Sequence, residues 1–105
     1  MKYYTALVTV EDQEQAEHIA NILLEEKLAA CVNIIGGVTS FYWWEDKIVN
    51  DKEVMLIIKT NELVVEEMID LVKAEHEYDI PEIIVLPIEK GNEDYLEWLD
   101  SSIKK

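Results

Sequence analysis

Phe41-Tyr42-Trp43-Trp44-Glu45-Asp46-Lys47 sets four aromatic side chains in a row against a short polar turn. The flanking residues on both sides read as strands. Upstream, Leu28 through Ile35 is a strand, Gly36-Gly37 permits a bend or bulge, and the strand resumes through Trp44. Downstream, Ile48 to Lys59 brings the chain back, so Glu45-Asp46-Lys47 turns a long hairpin. Each arm holds roughly 14 residues, which at about 3.3 Å per residue extends about 45 Å. A compact domain of this size has a diameter of roughly 35 Å. The aromatic tip is therefore expected to project beyond the body, where a lone small domain cannot cover it. Phe41, Tyr42, Trp43 and Trp44, with Trp98, are the expected anchors of an oligomer interface.

The remaining segments give the hairpin its frame. Tyr3 to Val10 alternates, with Tyr4, Ala6, Val8 and Val10 on one face, which predicts a strand. Asp12 followed three places later by Gln15 is a capping-box signature, and Ala16, Ile19, Ala20 and Leu23 recur at helical spacing, so a helix is predicted from Gln13 to Lys27. Thr60-Asn61 reads as the cap of a second helix, whose Val64, Val65, Met68, Ile69, Leu71 and Val72 form a buried stripe through His76. Pro81 leads into a strand from Glu82 to Ile88, and Asn92 opens a last helix carrying Tyr95, Leu96, Trp98 and Leu99. The order β-α-β-β-α-β plus a terminal helix is an α+β, ferredoxin-like pattern, read as one domain over residues 1–105. Both helices of that pattern lie on one face of the sheet. Yet Cys31, Asn33 and Ile35 lie opposite Ala30, Val32 and Ile34, and Met55 and Ile57 lie opposite Val54, Leu56 and Ile58. Apolar residues on both faces mean that both are covered, and a symmetric homo-oligomer covers the second most simply.

Charge narrows the partners. The 105 residues include 23 acidic side chains against nine lysines and no arginine, a formal net charge of -14. A chain so acidic repels nucleic-acid phosphates and anionic membrane surfaces, and draws in cations. The apolar runs are far too short to cross a bilayer. A single cysteine cannot form an intramolecular disulfide, and Met1-Lys2-Tyr3-Tyr4-Thr5 runs directly into a strand with no leader-like apolar region, so a cytoplasmic location is expected.

Several local motifs occur in a specific order: Lys27-Leu28-Ala29-Ala30-Cys31-Val32-Asn33, Phe41-Tyr42-Trp43-Trp44-Glu45 with Lys47, Glu53, Lys59-Thr60, His76, Tyr78, Pro81-Glu82, and Asn92-Glu93-Asp94-Tyr95-Leu96-Glu97-Trp98-Leu99. Together they span nearly the whole chain, which resembles the CutA family, the proteins named for divalent-cation tolerance. The resemblance implies a ferredoxin-like subunit assembled as a homotrimer, similar in architecture to the PII signal-transduction proteins. It implies a role in the response to divalent metal ions, copper most of all, with no catalysed reaction and no required cofactor. A PII-like sensor taking a small metabolite between subunits is the alternative, and an undetected enzyme using His76, Tyr78 and Glu82 is a third reading.

Candidate metal ligands are Cys31 and His76, since a thiolate and an imidazole suit copper or zinc. Cys31 also reads as a small buried apolar residue, and His76 as the C-terminal residue of a helix. His18, among Glu14, Glu17 and Asn21, reads as a surface residue. Glu53, Lys59, Tyr78 and Glu82 are expected to line a polar cleft between subunits with His76, Lys59 also reading as an ion-pair partner for one of those carboxylates. Neither a nucleophile elbow nor a glycine-rich phosphate loop occurs.

Overall fold

The computed structural model describes residues 1–104, ordered as β1 (Tyr3–Val10), α1 (Gln13–Glu25), β2 (Cys31–Trp44), β3 (Lys47–Asn61), α2 (Val65–Glu75), β4 (Ile83–Ile88) and α3 (Glu93–Ser101). The four strands form one antiparallel sheet in the order β2-β3-β1-β4. This is the ferredoxin-like α+β arrangement expected from the element order.

Alternation in β1 decides the inner face. Ala6, Val8 and Val10 are fully buried and pack with Leu56 and Ile58 of β3, Ala16, Ile19 and Leu23 of α1, and Met68 and Val72 of α2. The residues between them point to the other side. There the pairs Leu7 with Ile57 and Ile84, Ile35 with Met55, and Thr5 with Leu86 make an apolar surface, on which Ile35, Ile84 and Leu86 remain exposed.

Several local features differ from expectation, β2 beginning at Cys31 rather than Leu28 and β4 at Ile83 rather than Glu82. Helix α1 stops at Glu25 rather than Lys27, because Lys27 takes a left-handed backbone (φ 57°). The Leu28 amide then reaches the Leu23 carbonyl (2.9 Å) and the Lys27 amide the Leu24 carbonyl (3.1 Å), the double bond of a Schellman ending. Thr60 and Asn61 do not cap α2. They belong to β3, where Thr60 Oγ1 donates to the Leu28 carbonyl (2.8 Å) and Asn61 Nδ2 to Asp100 (3.1 Å), so the helix begins later, at Val65, with no side-chain cap. The capping box of α1 is half made. Asp12 Oδ1 accepts from the Gln15 amide (2.9 Å), while the Gln15 side chain turns elsewhere.

The hairpin behaves as its length requires. The chain measures 44 × 26 × 22 Å, and Phe41 (70% exposed), Trp43 (72%) and Ile48 (65%) are uncovered near the tip. At Gly36-Gly37, two residues of β2 oppose the single Val54 of β3, with Gly37 at φ 73°. This bulge reverses the alternation of β2. Before it, odd-numbered residues share the open face with Met55 and Ile57; after it, Val38, Ser40, Tyr42 and Trp44 do. The turn itself is tight, joining Trp44 to Lys47 through Glu45 (φ 49°) and Asp46 (φ 62°). Two left-handed residues in a two-residue loop make a primed turn, which favours Asn-Gly over Glu-Asp. Glu45→Asn combined with Asp46→Gly is therefore expected to raise stability by about 1 kcal/mol through relief of left-handed strain. Urea melts at fixed protein concentration check this, and an unchanged or lower midpoint contradicts it.

Candidate functional site

The segment from His76 to Glu82 joins α2 to β4 and is held by side chains from distant parts of the chain. Gln15 on α1 is buried; its Nε2 donates to the Glu75 carbonyl (3.4 Å) and its Oε1 accepts from the Glu77 amide (2.8 Å). His76 ends α2, its amide bonded to the Val72 carbonyl (2.9 Å), and its ring is buried. The ring's Nδ1 accepts from the Tyr78 amide (3.0 Å), so Nε2 carries the hydrogen and donates to the Thr9 carbonyl (2.7 Å). Both ring nitrogens are thus committed to backbone. The Tyr78 ring lies 4.7 Å from the imidazole and sends its hydroxyl to Glu53 Oε2 (2.8 Å).

These contacts open a groove of about 900 Å³ between the hairpin and the loop. Phe41, Tyr42, Trp44, Asp51 and Glu53 border it from the hairpin, and Glu77, Tyr78, Asp79, Ile80 and Glu82 from the loop. Glu53 is nearly buried, whereas Ile80 is 86% exposed. Tyr42 donates a short hydrogen bond to Asp51, which pushes its hydroxyl above the ordinary tyrosine range. Burial, followed by the Glu53 hydrogen bond and charge, pushes Tyr78 up strongly. On the groove's own lining, a hydrogen bond with Glu11 raises the Glu77 carboxyl, with burial and the charges of Glu11, Asp12 and Glu14 adding to it.

Of the residues singled out in the sequence, Glu53, Tyr78 and Glu82 meet in this groove, and His76 supports it from beneath. Lys59 and Cys31 do not meet them. Strand register pairs Cys31 with Lys59, and Lys59 with Thr5, four residues along β1 from the Thr9 that binds His76, or roughly 13 Å along the strand. At that end Lys59 Nζ donates to Asn33, and Cys31 is partly exposed beside Tyr95, whose hydroxyl is raised by burial and then by the thiol. Among the described residues, no three His, Cys, Asp or Glu side chains converge as a cation cage. His18 is on the surface, 2.8 Å from Glu75. Tyr42 was expected only as an interface anchor, and Asp51 and Gln15 were not singled out as site residues. The reversal at Gly36-Gly37 was the available signal for the first two; for Gln15 the capping role masked the long-range one.

Comparison with known proteins agrees with the architecture. The family model described as CutA1 divalent ion tolerance protein matches residues 4–102. The chain is 51% identical over 98 residues to a chloroplastic CutA 1 protein of Oryza sativa, covering 93% of this chain but only 55% of that protein, so it spans about half that relative's length. It is 48% identical over 93 residues to the divalent-cation tolerance protein CutA of Thermus thermophilus, covering 89% of this chain and 90% of that protein. The crystal structure of CutA1 from Oryza sativa superposes with a TM-score of 0.97 at 48% identity, covering 100% of this chain and 96% of that one.

The Tyr78 to Glu53 bond makes a testable link between pH and stability. At neutral pH, Tyr78→Phe is expected to cost about 1.5 kcal/mol, the loss of a hydrogen bond to a charged acceptor. Because folding raises the Tyr78 pKa above its ordinary 10.0, the folded state holds this proton more tightly than the unfolded chain. The stabilisation is complete below pH 10 and declines as the pH rises beyond it. The gap between wild type and Tyr78→Phe should narrow from pH 9 to pH 11 in denaturant titrations; a constant gap excludes the linkage.

Proposed function

The chain belongs to the CutA1 divalent ion tolerance family, and from that premise we propose that it acts as a non-enzymatic homotrimer in the response to divalent metal ions, taking up copper or a similar cation. The observation that carries the assembly is the pair of uncovered apolar surfaces, on the open sheet face and at the hairpin tip. Ile35, Ile84 and Leu86 on the first and Phe41, Trp43 and Ile48 on the second are exposed large apolar side chains, and grouped exposure of this kind marks an interaction surface. The sheet also ends in two unpaired edges, β2 and β4. A ring in which β2 of one copy adjoins β4 of the next uses both edges of every subunit and closes without leaving a template for further addition.

For the metal, Cys31 is the better donor. It lies partly exposed on edge strand β2, where a ring of subunits brings side chains of two copies together. His76 would have to give up a backbone hydrogen bond to bind a cation, and the same commitment counts against its use as a catalytic base. The cytoplasm is the proposed location; among the described residues no helix is long and apolar enough to cross a membrane.

Native mass spectrometry of the untagged protein tests this reading. The expected species is a trimer that gains a discrete number of copper ions per subunit and loses that uptake in Cys31→Ser. A broad, salt-sensitive distribution of ions means that copper only decorates the acidic surface. Phe41→Ala combined with Trp43→Ala should dissociate the trimer at micromolar concentration, since buried aromatic anchors often cost about 2 kcal/mol or more each when truncated. Sedimentation that still shows a full trimer would refute the aromatic anchoring.

A further inference from the structure

The groove between hairpin and loop has a lining that fits neither a bare metal ion nor a second copy of the chain. We propose that it binds an elongated organic polycation, an aliphatic di- or triamine, whose ammonium groups pair with Asp51, Glu53, Asp79 and Glu82 while its methylene stem lies against Trp44 and the ring of Tyr42.

Three features select this class. First, the groove is lined by both carboxylates and aromatic rings, and no lysine lines it. Ammonium groups bind carboxylates through charge-assisted hydrogen bonds and aromatic faces through cation–π attraction, so both halves of the lining favour the same ligand. Second, the carboxylates are spread along the groove: no three acidic, His or Cys side chains among the described residues converge on one point. A compact divalent ion needs several oxygens around a single centre, whereas separated carboxylates suit a chain of separated charges. Third, two of the acids are oriented before any ligand arrives, Asp51 by the Tyr42 hydroxyl and Glu53 by Tyr78 (2.8 Å). Tyr78 is itself set by His76, so the floor of the groove is built by the fold and does not depend on the ligand. A preorganised site loses less freedom on binding.

Charge also argues against a neighbouring copy as the occupant. Every copy carries a net charge of -14 and no arginine, a poor complement to a row of carboxylates. The bulge at Gly36-Gly37 supports the functional reading, because it alone turns Tyr42 and Trp44 toward the face that Glu53 occupies. Trp43 points to the opposite face and stays available for assembly, while Phe41, on that face by register, also reaches the edge of the groove. The groove lies along the open sheet face, so the proposal is independent of copper uptake and requires an assembly that leaves the groove accessible.

Isothermal titration of the intact protein with spermidine, at about 0.15 M ionic strength to suppress diffuse attraction, tests it. Putrescine and magnesium serve as comparison ligands, and the variants are Glu53→Gln, Trp44→Leu, Trp44→Phe and the remote double change Glu25→Gln with Glu66→Gln. The expected result is saturable binding near one spermidine per chain, weakened about tenfold by Glu53→Gln and by Trp44→Leu. Trp44→Phe keeps an aromatic face and should recover most of the affinity, while the remote pair leaves it unchanged. Trp44 is an exposed side chain, so its variants report on the groove even if Glu53→Gln disturbs folding. Absence of saturable heat means that the groove is filled by a neighbouring subunit or is no site, and overturns the proposal. Equal weakening by the remote pair, or displacement by magnesium at matched ionic strength, reduces spermidine to a surface counterion and overturns it as well.

Discussion

The antiparallel ladder between β2 and β3 is the constraint on which the other features depend. Strands of 14 and 15 residues pair over nearly their whole length, yet β1 and β4, with eight and six, support only the inner part of them. The outer part is a two-stranded ribbon, and such a ribbon is marginal in water without a covered face. It carries Phe41, Trp43 and Ile48, so the chemistry that makes it vulnerable also supplies the means of covering it. The same ladder brings the Gly36-Gly37 bulge into register opposite Val54. That one irregularity divides the tip into an apolar side and a side holding Tyr42, Trp44 and Asp51.

His76 is the second node, and its role is architectural. A helix needs its last carbonyls satisfied and the chain redirected, and His76 does the latter by joining the Thr9 carbonyl to the Tyr78 amide through its two ring nitrogens. Gln15 performs the corresponding service from α1. The loop that faces the groove is therefore fixed by neutral hydrogen bonds from buried side chains, so that its carboxylates can remain exposed. A buried polar side chain with every partner in place rigidifies its surroundings, whereas a lost partner leaves a desolvated group.

How much of this was legible in the sequence follows from the range of the interactions involved. Periodicity and turn chemistry are local, so the seven elements, their order and the long hairpin could be read from alternation in Tyr3–Val10, from the Ala16-Ile19-Leu23 stripe and from the glycine pair. Thr60-Asn61 misled because a cap and a strand end use the same residue types; Leu28 and Asp100, which take the Thr60 hydroxyl and the Asn61 Nδ2, lie 32 and 39 residues away, while Asn61 Oδ1 accepts from the Leu63 amide in the turn before the helix. The candidate site was half legible. Glu53, Tyr78 and Glu82 border one groove within the chain, but Lys59 and Cys31 lie at the other end of the sheet, because position along β1 depends on strand register, which a one-dimensional reading does not provide. Asp51 looked like one more surface acid until the bulge gave it a face.

Charge ties the two surfaces together. Subunits each carrying -14 repel one another, so any assembly must derive its attraction from apolar area. That requirement is consistent with an open face made of Leu7, Ile57, Ile84 and Leu86 and a hairpin edge of Phe41 and Trp43, with Asp51 and Glu53 further along the open face toward the tip. Bringing three such subunits together would also concentrate negative potential around the grooves, and a cation entering one would relieve repulsion between neighbours as well as pair with local carboxylates. Cation binding and assembly would then be thermodynamically linked even without a shared side chain, because each lowers the electrostatic cost of the other.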